Sequence, residues 1–477
     1  MRPGLTLMML SLFGNLLLAE KVDAQTVYYS PGPGFNADNT EFELIGQWEN
    51  RRVVYTKRFS KGVLRLYSDR MMLLDTVVLG WLPYGVERLD FIALRSRFMA
   101  LYQYRQKRET IFAGALLDSR GRLVQPPIVL ARCPAIQRDE DGYAFVASAD
   151  KNRLLVYRMA EAARATLTRA ELVLLDSNLQ RIENDTLTIP FKRSEGPPLV
   201  LRLSNAGGWY LLYGSSPFPF ARRLEALTLL YKPAGRATFL SRKFLFPSRP
   251  VAGPPLLTLA EKDQSGLWLT AFRFGEKNRH VAALVCWRLD LLSLGTTNHW
   301  EQPLSPALRK AFADRRSRRK AVFDDYVPRA LMLRRSGPAL LVAGQSFTDA
   351  EGRPHFGSVA LFPLDSSGFS AAPLKIARPL ARSGGPLPGP FLMVNRGSAL
   401  HFLLNQPHQV SRLLTTSIYL LRDYRYRSNT GVAVLPVMEK QGQGYLWLTQ
   451  MGEQISDRDV LVPCLKGRRL YFGSIRY

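Results

Sequence analysis

An all-β fold is what the sequence predicts, and three observations predict it. Helical periodicity is nearly absent along the 477 residues. Short runs rich in β-branched, aromatic and leucine residues alternate with Gly, Pro, Asp, Ser and Asn, the pattern of many strands joined by turns. A phrase also returns along the chain: "LLDSRGRL" (Leu116 to Leu123), "LLDSNLQ" (Leu174 to Gln180), "PLDSSGF" (Pro363 to Phe369) and, more loosely, "LYSDRMML" (Leu66 to Leu73).

Those phrases mark a repeat. From Asp69 to Asp118, Asp118 to Asp176 and Asp365 to Asp423 the spacing is about 50 to 60 residues, with about four strands per interval. One unit reads "DFIALRSR", "FMALYQYR", "IFAGALLDSRGRL", "PPIVLA"; the next reads "AFVASAD", "NRLLVYRM", "TRAELVLLDSNLQ", "TLTIPF". A lone four-stranded sheet leaves two edges and a face uncovered, so such units bury themselves by packing radially, as blades of a β-propeller. Six clear units, a weaker first one ("RVVYTKRF", "VLRLYSD") and an incomplete last one predict a ring of about seven four-stranded blades, with eight the alternative count. Within the phrase, Asp118 is expected to accept backbone hydrogen bonds at a tight turn, and Gly121 to take a left-handed conformation. In "LLDSNLQ" Asn178 falls near the glycine's place, and in "LLYKPAG" Tyr231 falls in the aspartate's.

The N-terminus reads as a signal peptide over residues 1–24. Arg2 precedes the apolar run Leu5 to Ala19, and "VDA" (Val22 to Ala24) offers small residues before Gln25. The expected mature chain is a single propeller domain over 25–477, exported to the periplasm, the outer surface or the medium. The apolar run is shorter than the roughly 18 to 20 residues of a membrane-spanning helix, and no later stretch reaches that length without a charge. Three widely spaced cysteines, Cys133, Cys286 and Cys464, sit in apolar contexts and read as small buried hydrophobes rather than a disulfide framework.

Lys and Arg number 65 against 39 Asp and Glu, a formal net charge of +26. Such an excess favours anionic neighbours: an acidic protein, or an anionic glycan or lipid surface. Its most concentrated expression is an insertion between "CWRLDLLSL" and "ALMLRRS", after the fourth clear unit, "SPALRKAFADRRSRRKAVFDDYVPR" (Ser305 to Arg329). Ser305 followed by Pro306 starts a helix, Leu308, Phe312 and Phe323 form an apolar stripe, and Pro328 ends it. Arg309, Lys310, Arg315, Arg316, Arg318, Arg319 and Lys320 line the other side and are the candidate anion-binding residues. The aromatic interleaving typical of single-strand nucleic-acid grooves is missing here, which disfavours nucleic acid.

Signatures of catalysis are missing. There is no G-x-S-x-G elbow and no phosphate-binding glycine loop. The five histidines lie apart, the nearest pair being His401 and His408, without metal-ligand spacing. Carboxylates such as Glu109, Asp141, Glu171, Asp263, Asp324, Asp325 and Asp349 could pair across a cleft as in glycoside hydrolysis, but linear sequence does not bring them together. No catalytic, cofactor-binding or metal-binding residue is therefore assigned. The alternating terminal stretch "LYFGSIRY" (Leu470 to Tyr477) raises an outer-membrane β-barrel as a further alternative.

Two regions, "LYSDRMMLLDTVVLGWLP" (Leu66 to Pro83) and "QISDRDVLVPCLKGRRLYFGSIRY" (Gln454 to Tyr477), resemble a family of exported β-propeller-like proteins of Bacteroidota. The resemblance implies the fold and export, and carries no activity or site residue. The function expected from the sequence is a non-enzymatic binding or scaffolding propeller, leaning away from an enzyme, that engages an acidic protein or a polyanionic envelope component. A propeller hydrolase or lyase acting on envelope glycans is the alternative.

Overall fold

A computed structural model describes residues 25–477 apart from 33, 59–60, 95, 135–141, 162–167, 190–198, 216–222, 261–265, 276–279, 314–321, 334–338, 349–353, 370–371, 378–390, 397–398, 409–417, 429 and 436–443. The proposed signal segment, residues 1–24, lies outside the described residues.

The described strands form eight separate antiparallel sheets, most of them up-and-down meanders of four consecutive strands. Taking the second blade as the pattern, Val86–Ala93 pairs with Phe98–Gln106, that strand with Glu109–Leu117, and Glu109–Leu117 with Ile128–Pro134. The two middle strands are buried almost throughout, over 98–103 in one and 110–117 in the other. Both faces of each sheet are covered by neighbouring sheets, which removes the period-two alternation expected of a half-exposed strand. Fourth strands face water, as in Thr296–Pro303, where exposed and half-buried residues alternate. First strands of neighbouring blades touch, as Thr40–Trp48 does Val86–Ala93 and Val251–Ala260 does Tyr326–Met332, so they form the innermost layer.

Eight apolar clusters fill the eight interfaces between successive blades. Leu64 and Phe98 share the cluster between the first and second, Leu172 and Leu211 that between the third and fourth, and Phe402 and Leu361 that between the sixth and seventh. The last cluster joins Leu461 and Phe472 of the eighth blade to Val54 and Tyr67 of the first. The ring therefore has eight blades, the alternative count. The seventh-versus-eighth ambiguity arises because the last blade draws on both ends of the chain. Leu446–Trp447, Asp459–Lys466 and Arg469–Arg476 supply its inner strands, and Thr26–Tyr29 adds the outer one, with Thr26 opposite Arg476 and Tyr29 opposite Gly473. "LYFGSIRY" is thus an interior blade strand, and the sheets are separate rather than closed into one barrel.

The repeated turn behaves as punctuation. Asp118 Oδ1 accepts from the backbone N–H groups of Arg120 and Arg122 at 2.8 and 2.9 Å, and Gly121 has φ of 75°. Asp176 does the same for Asn178 and Gln180, but the left-handed residue is Leu179, at φ 63°, rather than Asn178. A leucine tolerates that conformation because its side chain is 3% exposed and packs where Gly114 leaves room. In the first blade the capping residue is Ser68, one before Asp69, and the left-handed residue is Met71. In the fourth blade the aspartate's register position holds Lys232, not Tyr231, since Trp209 faces Lys232 as Arg153 faces Asp176. Lys232 is 1% exposed and is neutralised by Glu183 and Asp185 of the preceding blade. Asp423 is no turn residue either: it lies in the strand Ile418–Arg427, fully buried.

The insertion is shorter than its composition suggests. Helix α1 spans Pro306–Phe312, with Ser305 Oγ accepting from Leu308 N at 3.2 Å. Phe312 and Phe323 are buried with ring centroids 5.1 Å apart, as the apolar stripe requires. Pro328 does not end the helix; it lies in the innermost strand Tyr326–Met332, at a register shift. An innermost strand has a free edge, where proline's missing N–H costs no ladder bond. All three cysteines are buried without disulfides.

At the seam between the last and first blades, Arg52, 2% exposed, donates to Asp459 at 2.9 Å and to the carbonyl of Ser68 at 3.0 Å. Arg476 reaches both Asp459 and Asp69. Removing one partner of a buried pair strands the other charge. Asp459→Ala is expected to destabilise the protein by about 3 to 5 kcal/mol, and Arg52→Met in the same chain to restore much of that loss. Thermal unfolding of the single and double variants checks it.

Candidate functional site

Each blade runs in the same sense, so the connections fall on two opposite faces of the ring. One face carries the turns between first and second and between third and fourth strands. The other carries the turns between second and third strands and the links from blade to blade.

On that second face, three successive blades present basic turns. The eighth turns at Lys466, Gly467, Arg468 and Arg469, all exposed. The first turns between Arg58 and Lys61, both exposed, with Lys57 beside them. The second turns at Lys107 and Arg108, exposed, with Arg105 before them. These tips adjoin. Asn36, on the link from the eighth blade to the first, pairs with Arg469, and Ala37 N donates to Arg468 O at 3.0 Å. The link from the first blade to the second is tied to the first tip where Leu79 N donates to Gly62 O at 3.0 Å. Carboxylates hold some of the cations: Glu41 pairs with Lys57 at 2.9 Å, Glu87 with Arg105 at 2.5 Å and Glu109 with Arg132 at 3.5 Å. Lys61, Lys107, Arg108, Lys466, Arg468 and Arg469 form no ion pair among the described residues.

The helix named from the sequence belongs to the same face, being the link from the fifth blade to the sixth. Its candidate residues fare differently. Arg309 turns inward, its Nε donating to Leu304 O at 2.8 Å and a second guanidinium nitrogen to Val281 O, and burial lowers its proton affinity. It fastens the helix to the fifth blade instead of reaching for an anion. Lys310 is exposed. Arg315, Arg316, Arg318, Arg319 and Lys320 lie outside the described residues. The basic turns escaped the sequence reading because "KRFSK", "RQKR" and "KGRR" are short and far apart in the chain. The signal was the recurrence of a basic cluster at the same turn of the repeat.

The opposite face has a different character. A cavity of about 620 Å³ opens there among the first, second, third and eighth blades, lined by Gln47, Arg97, Asp150, Lys151, Glu453 and Gln454 among others. Most of its polar groups are already satisfied. Lys151 Nζ donates to Ala93 O at 2.9 Å, Arg97 to Ser177 O at 3.1 Å, and Gln454 exchanges two hydrogen bonds with the Asn395 backbone. Gln47 Oε1 is buried without a hydrogen-bond partner among the described residues, and burial raises the proton affinity of Glu453, which the charge of Lys151 only partly opposes. Glu43, on the neighbouring innermost strand, is pushed up to about 8 by burial, against a hydrogen bond from Phe91 N at 2.8 Å and with help from the nearby charges of Asp90 and Glu453.

The carboxylates named from the sequence do not gather here. Glu109 pairs with Arg132 and Glu171 with Arg158, and Asp324 holds His280 at 2.9 Å on the other face. Asp141, Asp263 and Asp349 lie outside the described residues. What could have found Glu43 is its place between Phe42 and Leu44, an acid inside an apolar first strand. One further His–Asp pair, His401 with Asp423 at 2.9 Å, is 2% and 0% exposed and closed to any substrate. Gln25 also donates to Asp423 and the Tyr477 ring packs on His401, so the pair ties both ends of the described chain to the seventh blade.

Comparison with known proteins adds little beyond architecture. No protein-family model and no curated protein matches the chain, so nothing there supports the Bacteroidota family resemblance. Among solved structures, the chain is similar to a prolyl endopeptidase (10% identity, TM-score 0.41), covering 90% of this chain and 55% of that one. It is also similar to the WD40 domain of SCAP from fission yeast (8%, TM-score 0.38, 95% and 98% covered). A third likeness is to the polysaccharide lyase Uly1 (9%, TM-score 0.39, 96% and 94% covered). The chain thus spans little more than half of the peptidase, and resemblances this distant say nothing of activity.

The raised Glu43 gives a pH signature. A carboxyl whose folded-state pKa lies above its unfolded value favours folding fully below the unfolded value, and that contribution is lost as pH rises through the folded one. Between pH of about 4.5 and 8 the wild-type protein is therefore expected to lose stability relative to Glu43→Gln. Melting temperatures of the two chains across that range check it; parallel curves would contradict the assignment.

Proposed function

We propose that this chain is an exported, non-enzymatic binding propeller that engages an acidic protein or a polyanionic envelope component through its basic face. The observation that carries the reading is the run of cationic turns on three successive blades, six of whose side chains are exposed and without an ion pair among the described residues. Tight turns on packed blades hold those charges in a fixed arc, so an anionic partner gains Coulomb attraction without ordering a loop. The mechanism is neutralisation of partner charges with release of their counterions, which makes affinity fall as salt rises. The sequence-named Lys310 lies on the same face and adds to it, while Arg309 does not.

A second reading, a hydrolase or lyase acting on envelope glycans, draws on one observation: Glu453, which lines the cavity, and Glu43, on the neighbouring innermost strand, both hold protons more tightly than ordinary carboxyls. A carboxyl that holds its proton more tightly than usual is suited to act as a general acid. On that reading Glu453→Gln abolishes release of reducing ends from envelope glycans and leaves the basic face intact.

Charge reversal separates the readings. Lys107→Glu, Arg108→Glu, Arg468→Glu and Arg469→Glu together are expected to weaken binding to heparin, a soluble polyanion, by at least about tenfold, and to flatten its salt dependence. These residues are exposed, so the melting temperature should hold. Unchanged affinity and salt slope would overturn the binding reading.

A further inference from the structure

We propose that the basic face docks on the anionic surface of a lipid bilayer, and that Tyr84 is the residue that enters the headgroup layer. The inference rests on the polyanion-binding reading and narrows it to one partner.

Tyr84 is 93% exposed, the most open of the large hydrophobic residues. It stands on the link between the first and second blades, on the face that carries the basic turns. That link is rigidly based. Leu79 is buried and bonded to Gly62 beside the basic turn of the first blade, and Leu82 N donates to Leu79 O at 3.2 Å. The Trp81 ring packs on Tyr102, centroids 5.7 Å apart. On its far side, Val86 pairs with Tyr104, the residue before Arg105 at the second basic turn. Tyr84 therefore projects between two cationic tips, with Val78, 62% exposed, at the end of the adjoining outer strand.

An exposed ring set between lysines and arginines has a physical use. Tyrosine carries an apolar body and a polar tip, which suits the boundary between acyl chains and headgroups. Each Lys or Arg near an anionic leaflet adds attraction that decays within a Debye length. The cations sit on the tips of separate blades, spread over one face, an arrangement that meets a plane of phosphates simultaneously. Among the described residues the carboxylates by these three tips do not reverse the sign: Glu41, Glu87 and Glu109 are each paired, and Asp38 is exposed on the link from the eighth blade to the first. A single aromatic with a basic patch gives reversible attachment, because stable anchoring needs more buried apolar surface than one ring supplies.

The test uses the full mature chain with vesicles of phosphatidylcholine alone, vesicles containing about one third phosphatidylglycerol, and soluble heparin. Wild-type protein is expected to sediment with the anionic vesicles and not the neutral ones. Tyr84→Ser should weaken vesicle binding at least about fivefold while leaving heparin binding unchanged, and Tyr84→Trp should retain it. Lys107→Glu with Arg108→Glu should weaken both. Vesicle binding unaffected by Tyr84→Ser, or heparin binding without any vesicle binding, would overturn the bilayer assignment and leave the polyanion reading standing. Charge reversal without effect on either ligand would overturn both. Unchanged melting of the Tyr84 variants, at a site this exposed, excludes misfolding as the cause.

Discussion

Every blade of this protein has two apolar faces, and each face is covered only if a neighbour stands against it. The contact on which the whole ring depends is therefore the one that brings the eighth blade to the first. It has a main-chain part, the pairing of Thr26–Tyr29 with Arg469–Arg476, and a side-chain part, the packing of Phe472 and Leu461 against Val54 and Tyr67. Were it open, two sheets would each present an apolar face to water, and Arg469–Arg476 would present an unpaired edge. Both ends of the described chain converge nearby: Gln25 bonds to Asp423, and Tyr477 packs on His401 with ring centroids 4.8 Å apart. Burial beside Asp423 drives the Tyr477 hydroxyl strongly toward its protonated form.

A closed ring of packed blades separates structural from surface chemistry. Inside, the buried charges and amides are held by partners from neighbouring segments: Lys232 by Glu183 and Asp185, Arg52 by Asp459, Asn405 by the backbone of Trp447. At the turns between strands, side chains are exposed and their identity costs the core little. One face has accumulated basic residues on successive blade tips, whereas the other has a polar cavity lined by Gln47, Arg97, Lys151 and Glu453.

The turn phrase illustrates how far a linear motif can be read. Asp118 and Asp176 cap their turns as their residue types require, because an Asx side chain folds back on the amides two and four residues on. The spacing that exposed the repeat nevertheless mixed true equivalents with chance matches, since Asp69 and Asp423 have other work. In two blades a leucine or methionine, not glycine, takes the left-handed position. There the energy recovered by burying Leu179 or Met71 between blades exceeds the backbone cost, a trade that only the neighbouring blade makes visible.

The sequence by itself determined the class of fold, the four-stranded repeat, the burial of the cysteines, the start of α1 and the excess of positive charge. Each of these depends on residue type and local spacing. Tertiary structure decided the rest. It set the blade count at eight, because the closing blade joins residues more than four hundred positions apart. It turned Arg309 inward, since a free carbonyl of the fifth blade lies within its reach. It gathered "KRFSK", "RQKR" and "KGRR" onto one face, and it set Glu43 beside Glu453. Proximity between distant segments is fixed by how blades pack around an axis, and no local pattern encodes that.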